Sequence, residues 1–247
     1  MKRIITYLLP VVSCVLFFAC QQNSDTINIK DYYYPAERLT NDGLVYEYRA
    51  LNNDSVPPEY WYFRSLETDT ALYFTGTYYD EYFNVRQFFS SEIVGNGVLL
   101  VDQFISTVDT TDQLVQYHAD VLYNNVFPFE VRDSGGIFLM KLKFTFNEDP
   151  PATTTLTRNR RYIGKGTYKV EGEEEEIVIM ELKEEVDDQN NGHWTSTYDG
   201  VEYYAEGIGL VYYKKEVDEN FVLEYGLHKR YPMSELEKKF SRSLTNE

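Results

Sequence analysis

From Leu44 onward the chain alternates. Leu44, Tyr46, Tyr48 and Ala50 fall on one side of an extended segment, and Glu47 and Arg49 fall on the other. A repeat of two is the side-chain period of a β-strand. The clearest case is Phe138, Met140, Leu142, Phe144 and Phe146 on one face, with Lys141, Lys143 and Thr145 on the other. At Tyr60, Tyr62 and Leu66 the alternation is with Trp61 and Phe63, so both faces of that segment are predicted to be buried or aromatic. Further strands are predicted over 71–80, 84–94, 98–107, 113–123, 153–170, 176–186, 193–198, 201–206, 208–216 and 220–230.

Turn chemistry separates these segments. Gly95-Asn96-Gly97 suits a tight hairpin, because Gly and Asn tolerate positive φ. Asn52-Asn53-Asp54-Ser55, Asp133-Ser134-Gly135-Gly136, Asn147-Glu148-Asp149-Pro150-Pro151 and Asp187 to Gly192 also break strands. No helix pattern lies between strands, which predicts an antiparallel meander and not βαβ units. One helix is expected at the end: Ser234-Glu235-Leu236-Glu237 is a capping-box sequence, and Leu236 and Phe240 would share its apolar side. So many strands must curl. The expected fold is therefore all-β and mainly antiparallel: a strongly curved sheet, half-barrel or open barrel, with a short C-terminal helix.

The N-terminus departs from this pattern. Lys2 and Arg3 precede an uncharged, largely apolar run from Ile4 to Phe18, which ends in Leu16-Phe17-Phe18-Ala19-Cys20. The run is too short to span a bilayer, for which ~20 residues are needed, and suits a signal segment. Its end resembles a lipobox, with small Ala19 before the cysteine and Phe17 departing from the usual aliphatic residue. The alternative is an ordinary secretory signal that happens to contain a cysteine. Gln21 to Lys30 follows as a polar stretch without periodicity, as a tether would. The expected organisation is a lipoprotein signal peptide at 1–19, acylation at Cys20, a polar tether over 20–42, an antiparallel β domain over 43–231 and a helix and tail over 232–247. Cys14 would leave with the signal, so Cys20 is the one cysteine that remains, and no disulfide or thiolate chemistry is expected.

Charge narrows the partners. The chain has 23 basic and 40 acidic residues, a net charge of −17. A surface so acidic repels nucleic acid and anionic headgroups, so no nucleic-acid partner is expected. The 23 Tyr and 15 Phe favour strands that pack against cross-strand neighbours.

Tyr203-Tyr204-Ala205-Glu206-Gly207-Ile208-Gly209-Leu210-Val211 carries a local resemblance. An aromatic pair followed by G-I-G-L-V and a Tyr- and Lys-bearing strand is similar to uncharacterised envelope lipoproteins of Bacteroidota, and to periplasmic half-barrel proteins of the LolA/LolB or TapB2-like type. The resemblance covers about 15 residues. It implies an envelope protein with a concave apolar surface for lipid or a hydrophobic peptide, and it brings no catalytic residues. Gly207 and Gly209 would mark a kink or bulge that bends the sheet.

Motifs for chemistry are weak. His118, His193 and His228 lie far apart without metal-ligand spacing, and isolated strand positions are the simpler account. No G-x-S-x-G is present, and Gly164-Lys165-Gly166 lacks the spacing of a phosphate loop. Glu171 and Glu173 to Glu176 read first as a solvated hairpin that discourages edge pairing, and only second as a source of a carboxylate pair. Asp187 to Gly192 fails the EF-hand spacing, although a loop-type cation site is conceivable. Tyr32-Tyr33-Tyr34, Tyr60-Trp61-Tyr62, Tyr78-Tyr79 with Tyr82, and Trp194 are either core packing or rings for stacking a sugar or lipid.

Sequence therefore leads to a lipid-anchored protein of the cell envelope, with the outer membrane favoured because Gln21 is not the Asp that retains lipoproteins in the inner membrane. A non-enzymatic module for a hydrophobic ligand such as lipid is expected, without cofactor, metal or catalytic residue. The alternatives are a structural or assembly lipoprotein that binds another envelope protein, and a surface glycan-binding lipoprotein. Cys20 is the single site residue that sequence names; the ligand-binding residues stay unknown.

Overall fold

The structure, a computed structural model, describes residues 26–108, 113–132, 136–147, 151–190, 192–219 and 221–243. The signal segment, Cys20 and the first residues of the expected tether lie outside the described residues. Among the described residues there are fourteen strands: β1 (Thr26–Asn28), β2 (Leu44–Ala50), β3 (Glu59–Glu67), β4 (Leu72–Tyr79), β5 (Val85–Val94), β6 (Gly97–Val108), β7 (Leu114–Pro128), β8 (Glu130–Arg132), β9 (Phe138–Phe146), β10 (Ala152–Val170), β11 (Glu173–Gln189), β12 (Trp194–Ala205), β13 (Gly209–Glu216) and β14 (Val222–Pro232). One α-helix, α1 (Met233–Ser243), ends the described chain.

Twelve of the strands form a closed antiparallel barrel in near-sequential order, β2 to β7 and then β9 to β14. The expected all-β, antiparallel, curved architecture is what the chain adopts, and the curl goes further than a half-barrel. β14 pairs with β2 from Tyr225↔Ala50 to Pro232↔Leu44, which joins the two ends of the meander and leaves no open edge. The short strands β1 and β8 form a separate two-stranded ribbon.

Alternation decides the two faces of the wall. Tyr46, Phe63, Phe74, Leu142, Phe144, Met180 and Val211 are buried inside. Outside, Arg161 pairs with Glu181 at 2.8 Å, and Lys183 lies 3.7 Å from Asp199. Such ion pairs stand on outward positions, the side that is apolar in a membrane-spanning barrel.

A barrel of about eight strands is just filled by its own side chains, and a wider one leaves space. Here the N-terminal segment fills one end. Two 3₁₀ turns, Lys30–Tyr32 and Ala36–Leu39, carry Tyr32, Tyr33, Ala36 and Leu39 into the interior, and Ile29 is fully buried just before them. The Tyr33 ring packs on Phe74 and Phe127, and the Tyr34 ring on Phe63 and Phe74. Ile29 N–H donates to the Phe129 carbonyl at 2.8 Å, and β1 pairs with β8, which ties this plug to the wall. Residues 26–39 are therefore a plug, not the tether expected over 20–42. The apolar set Ile29, Tyr32, Tyr33, Ala36 and Leu39 has the i, i+3, i+4, i+7 spacing of a helix face, a signal the tether reading passed over, and Pro35 breaks it into two short turns.

The Gly207-Ile208-Gly209 segment makes the turn between β12 and β13, with φ of +67° at Gly207 and +100° at Gly209. A register shift lies beside it at Tyr203/Tyr204. The turn also holds the plug: Gly207 N–H donates to the Asp31 carbonyl at 2.7 Å, and a Cβ on Gly209 would come within 2.5 Å of the Tyr34 ring. The two strands expected at 193–198 and 201–206 are one, β12. Gly200 lies inside it because a side chain there would collide with the Lys214 carbonyl of the neighbouring strand.

Helix α1 starts one residue before the capping-box serine and lies on the outer wall. Leu236 is fully buried against Val45, Tyr60 and Tyr231, and Phe240 stacks on Phe83 at 5.0 Å. Beneath it Glu47 accepts hydrogen bonds from Arg49 (2.6 and 2.8 Å) and Tyr231 (2.9 Å).

Candidate functional site: an amphipathic cavity inside the barrel

Above the plug, the barrel encloses a cavity of about 390 Å³. Its floor is Tyr33 and Tyr34 of the plug. One wall is apolar: Phe89, Leu100, Ile105, Met140, Phe144 and Leu156. The other carries charge, from inward-facing positions of β10 to β13. Toward the end opposite the plug, the inward residues Tyr117, Phe146, Val186, Tyr198 and Leu223 are only half-buried, so this end is the mouth.

The charged wall is built by register. Arg158 pairs across the ladder with Glu184, and Arg160 sits two residues along β10 on the same face. Arg160 grips Glu202 with two hydrogen bonds, at 2.7 and 3.1 Å, and donates to the Val126 carbonyl at 3.2 Å. Tyr204 donates its hydroxyl proton to the same carboxylate at 2.9 Å. Arg160 and Glu202 are both buried, so the bidentate geometry compensates the loss of water around two charges. Burial alone would push the Glu202 carboxyl up, but the Arg160 guanidinium outweighs it and holds the group below its ordinary range.

Glu184 is shared. Arg158 donates to one carboxylate oxygen from Nε at 2.8 Å and Nη2 at 2.6 Å, and the Lys215 ammonium contacts the other oxygen. Burial opposes its charge; Arg158 and Lys215 together overcome this and bring the carboxyl down to about 2. Lys215 also lies 4.0 Å above the Tyr198 ring. Glu59, at the start of β3, behaves in the opposite way. Burial raises its carboxyl, which the Tyr213 hydroxyl and Trp61 N–H (3.2 Å) moderate without cancelling. Ser91 faces the cavity with a buried hydroxyl that has no hydrogen-bond partner among the described residues.

Sequence motifs map to this geometry unevenly. The Tyr32-Tyr33-Tyr34 triplet is the plug. Trp61 reaches the cavity and stacks on Tyr78 at 5.3 Å, whereas Tyr60 packs under α1 and Tyr79 stacks outside on Phe83. Trp194 stands at the mouth, 62% exposed, and Tyr82 in the β4–β5 loop is 75% exposed. The histidines stay apart: His118 contacts Asp102 at 3.3 Å on the outer wall, His193 contacts Asp187 at 3.0 Å, and His228 is exposed. Among the described residues, no group of three or more His, Cys, Asp or Glu side chains is placed to hold a metal. The Glu171 to Glu176 run is the β10–β11 hairpin, and Glu171 pairs with Arg230 at 2.7 Å.

Sequence reading missed Glu59, Arg158, Arg160, Glu184, Glu202 and Lys215. A signal existed. Val178, Met180 and Leu182 define an inward face of β11, and Glu184 is the next residue on it. A charge in register with a buried face marks either a buried pair or a site.

The fold and cavity define a plugged, closed, antiparallel barrel with an amphipathic interior. No family model matches the chain, and no curated protein matches it. The chain is similar to the crystal structure of a "putative lipoprotein" from Parabacteroides distasonis, at 10% identity over 79% of this chain and 95% of that one, with a TM-score of 0.45. It is also similar to a "putative exported protein with YmcC-like fold" from Bacteroides fragilis, at 10% identity over 81% of this chain and 98% of that one, with a TM-score of 0.37. Neither is described as a LolA or LolB protein.

Proposed function

We propose that the chain is an envelope protein, held to a membrane by acyl chains on Cys20, whose barrel binds a small hydrophobic ligand of the lipid class without chemistry. The observation that supports this reading is the interior cavity, apolar on one wall and reached through a mouth at one end. Its volume falls in the range of about 300–1,000 Å³ typical of ligand sites. The ionisable groups Arg158, Arg160, Glu184 and Glu202 are engaged with one another, as groups that shape a pocket are, and not poised singly for proton transfer.

The plug adds an orientation to this reading. Six steps of chain separate Cys20 from Thr26, which at about 3.3–3.6 Å each reach at most ~22 Å. An acylated Cys20 would hold the plugged end close to the headgroups and turn the mouth away from that membrane. A second reading, docking of another envelope protein at the mouth, is favoured by the exposed apolar residues Leu51, Trp194 and Phe221 at that end.

Native mass spectrometry of gently purified protein tests the first reading. A mass increment released by organic extraction is the expected result. A clean apo mass, together with failure to take up any added single-chain lipid, would refute it.

A further inference from the structure

The charge in the cavity is unevenly placed. Three cations, Arg158, Arg160 and Lys215, face three carboxyl groups, Glu59, Glu184 and Glu202, but two of the cations meet at Glu184 alone. Arg160 and Glu202 satisfy each other, and Arg158 and Lys215 share the single carboxylate of Glu184. Arg158 spends both Nε and Nη2 on one oxygen of that carboxylate. Its Nη1 has no hydrogen-bond acceptor among the described residues, and the Lys215 ammonium, which also lies over the Tyr198 ring, has Glu184 as its one oxygen acceptor there. Both side chains keep about a quarter of their surface accessible, at 29% and 27%, and both border the cavity. The remaining carboxylate, Glu59, hydrogen-bonds with Trp61 and Tyr213 and not with these cations. Ser91, with its unpartnered buried hydroxyl, also borders the cavity. Two partly desolvated cations that share one carboxylate, with donors left over, favour an anion that completes them.

We propose that the cavity takes a single-chain amphiphile with an anionic oxygen head. The head sits between Arg158 and Lys215, and the tail lies along Phe89, Leu100, Met140, Phe144 and Leu156. At ~30 Å³ per small group, the cavity holds on the order of a dozen heavy-atom groups, the size of a ten-carbon acid and too small for a two-chain lipid. This inference rests on the hydrophobic-ligand reading above and adds the charge of the head.

Titration calorimetry in detergent-free buffer tests it on the full chain carrying Cys20→Ser, with decanoate, decyl phosphate, 1-decanol and decyltrimethylammonium as probes. The anionic probes are expected to bind at least tenfold more tightly than decanol, and the tighter of the two identifies the head as carboxylate or phosphate. Lys215→Met leaves the Arg158–Glu184 pair in place and is expected to remove that preference while decanol binding stays. Comparing the four probes on the unsubstituted cavity needs no variant, so the test stands even if Lys215→Met fails to fold. Equal affinity for decanoate and decanol, or tighter binding of the cation, would overturn the anionic head and leave the apolar cavity in place. No binding of any probe would overturn both.

Discussion

Glu184→Gln isolates the charge that Arg158 and Lys215 share. The carboxyl falls from an ordinary 4.5 to about 2 in the folded protein, because burial, which opposes its charge, is outweighed by the two cations. A folded-state value below the unfolded one means that the unfolded chain takes up the proton first as pH drops. The stabilisation is therefore complete above about pH 4.5 and is lost as pH falls toward 2. A shift of that size corresponds to about 3 kcal/mol. Glu184→Gln keeps the shape and removes the charge, so it should destabilise the protein by about 3 kcal/mol at pH 7. A protonated Glu184 is nearly isosteric with Gln, so the gap between the two proteins should shrink to about 1.5 kcal/mol at pH 3. Other carboxylates titrate equally in both proteins and drop out of the difference. Urea unfolding followed by circular dichroism, at pH 7, 5, 4 and 3, measures the gap directly. A gap that stays constant over that range would refute the assignment of Glu184 as a charged partner of Arg158 and Lys215, whatever its size at neutral pH.

Arg160→Met should destabilise by about 3–5 kcal/mol, since it leaves Glu202 charged and buried, and adding Glu202→Leu should restore much of the loss in the same urea assay. Gly209→Ala should cost about 2–4 kcal/mol, because it combines φ of +100° with a collision against Tyr34, whereas Gly207→Ala, with open space around its Cβ, should cost only the backbone strain of about 1 kcal/mol. Thermal melts of the two variants check that order. Cys20→Ser should move the protein from the membrane to the soluble fraction on ultracentrifugation; retention in the pellet would remove the acyl anchor from the account.

Much of the wall was legible because period two is a local property. Leu44 to Ala50 and Phe138 to Phe146 each declare an inner and an outer face with no help from the rest of the chain, and Gly95-Asn96-Gly97 declares its hairpin. The pairing of Leu236 with Phe240 declared the buried side of α1 in the same way. Where reading failed, the cause was non-local. Gly200 looked like a break between two strands, yet it answers the backbone of β13, which lies beside it only in the barrel.

The amino-acid sequence by itself determined the strand content, the antiparallel meander and the acidic, cation-poor surface, because alternation, turn residues and net charge are properties of neighbours and sums. Tertiary structure alone decided three things. Closure depended on β2 meeting β14, strands about 180 residues apart. The plug depended on a twelve-stranded barrel being too wide for its own side chains to fill, so that Tyr33 and Tyr34 are core and not tether. The charged wall depended on register, which brings Arg158 to Glu184, Arg160 to Glu202 and Lys215 to Glu184 across strands. Charges on an inward face look costly one strand at a time, and only the neighbouring strands show what each one meets.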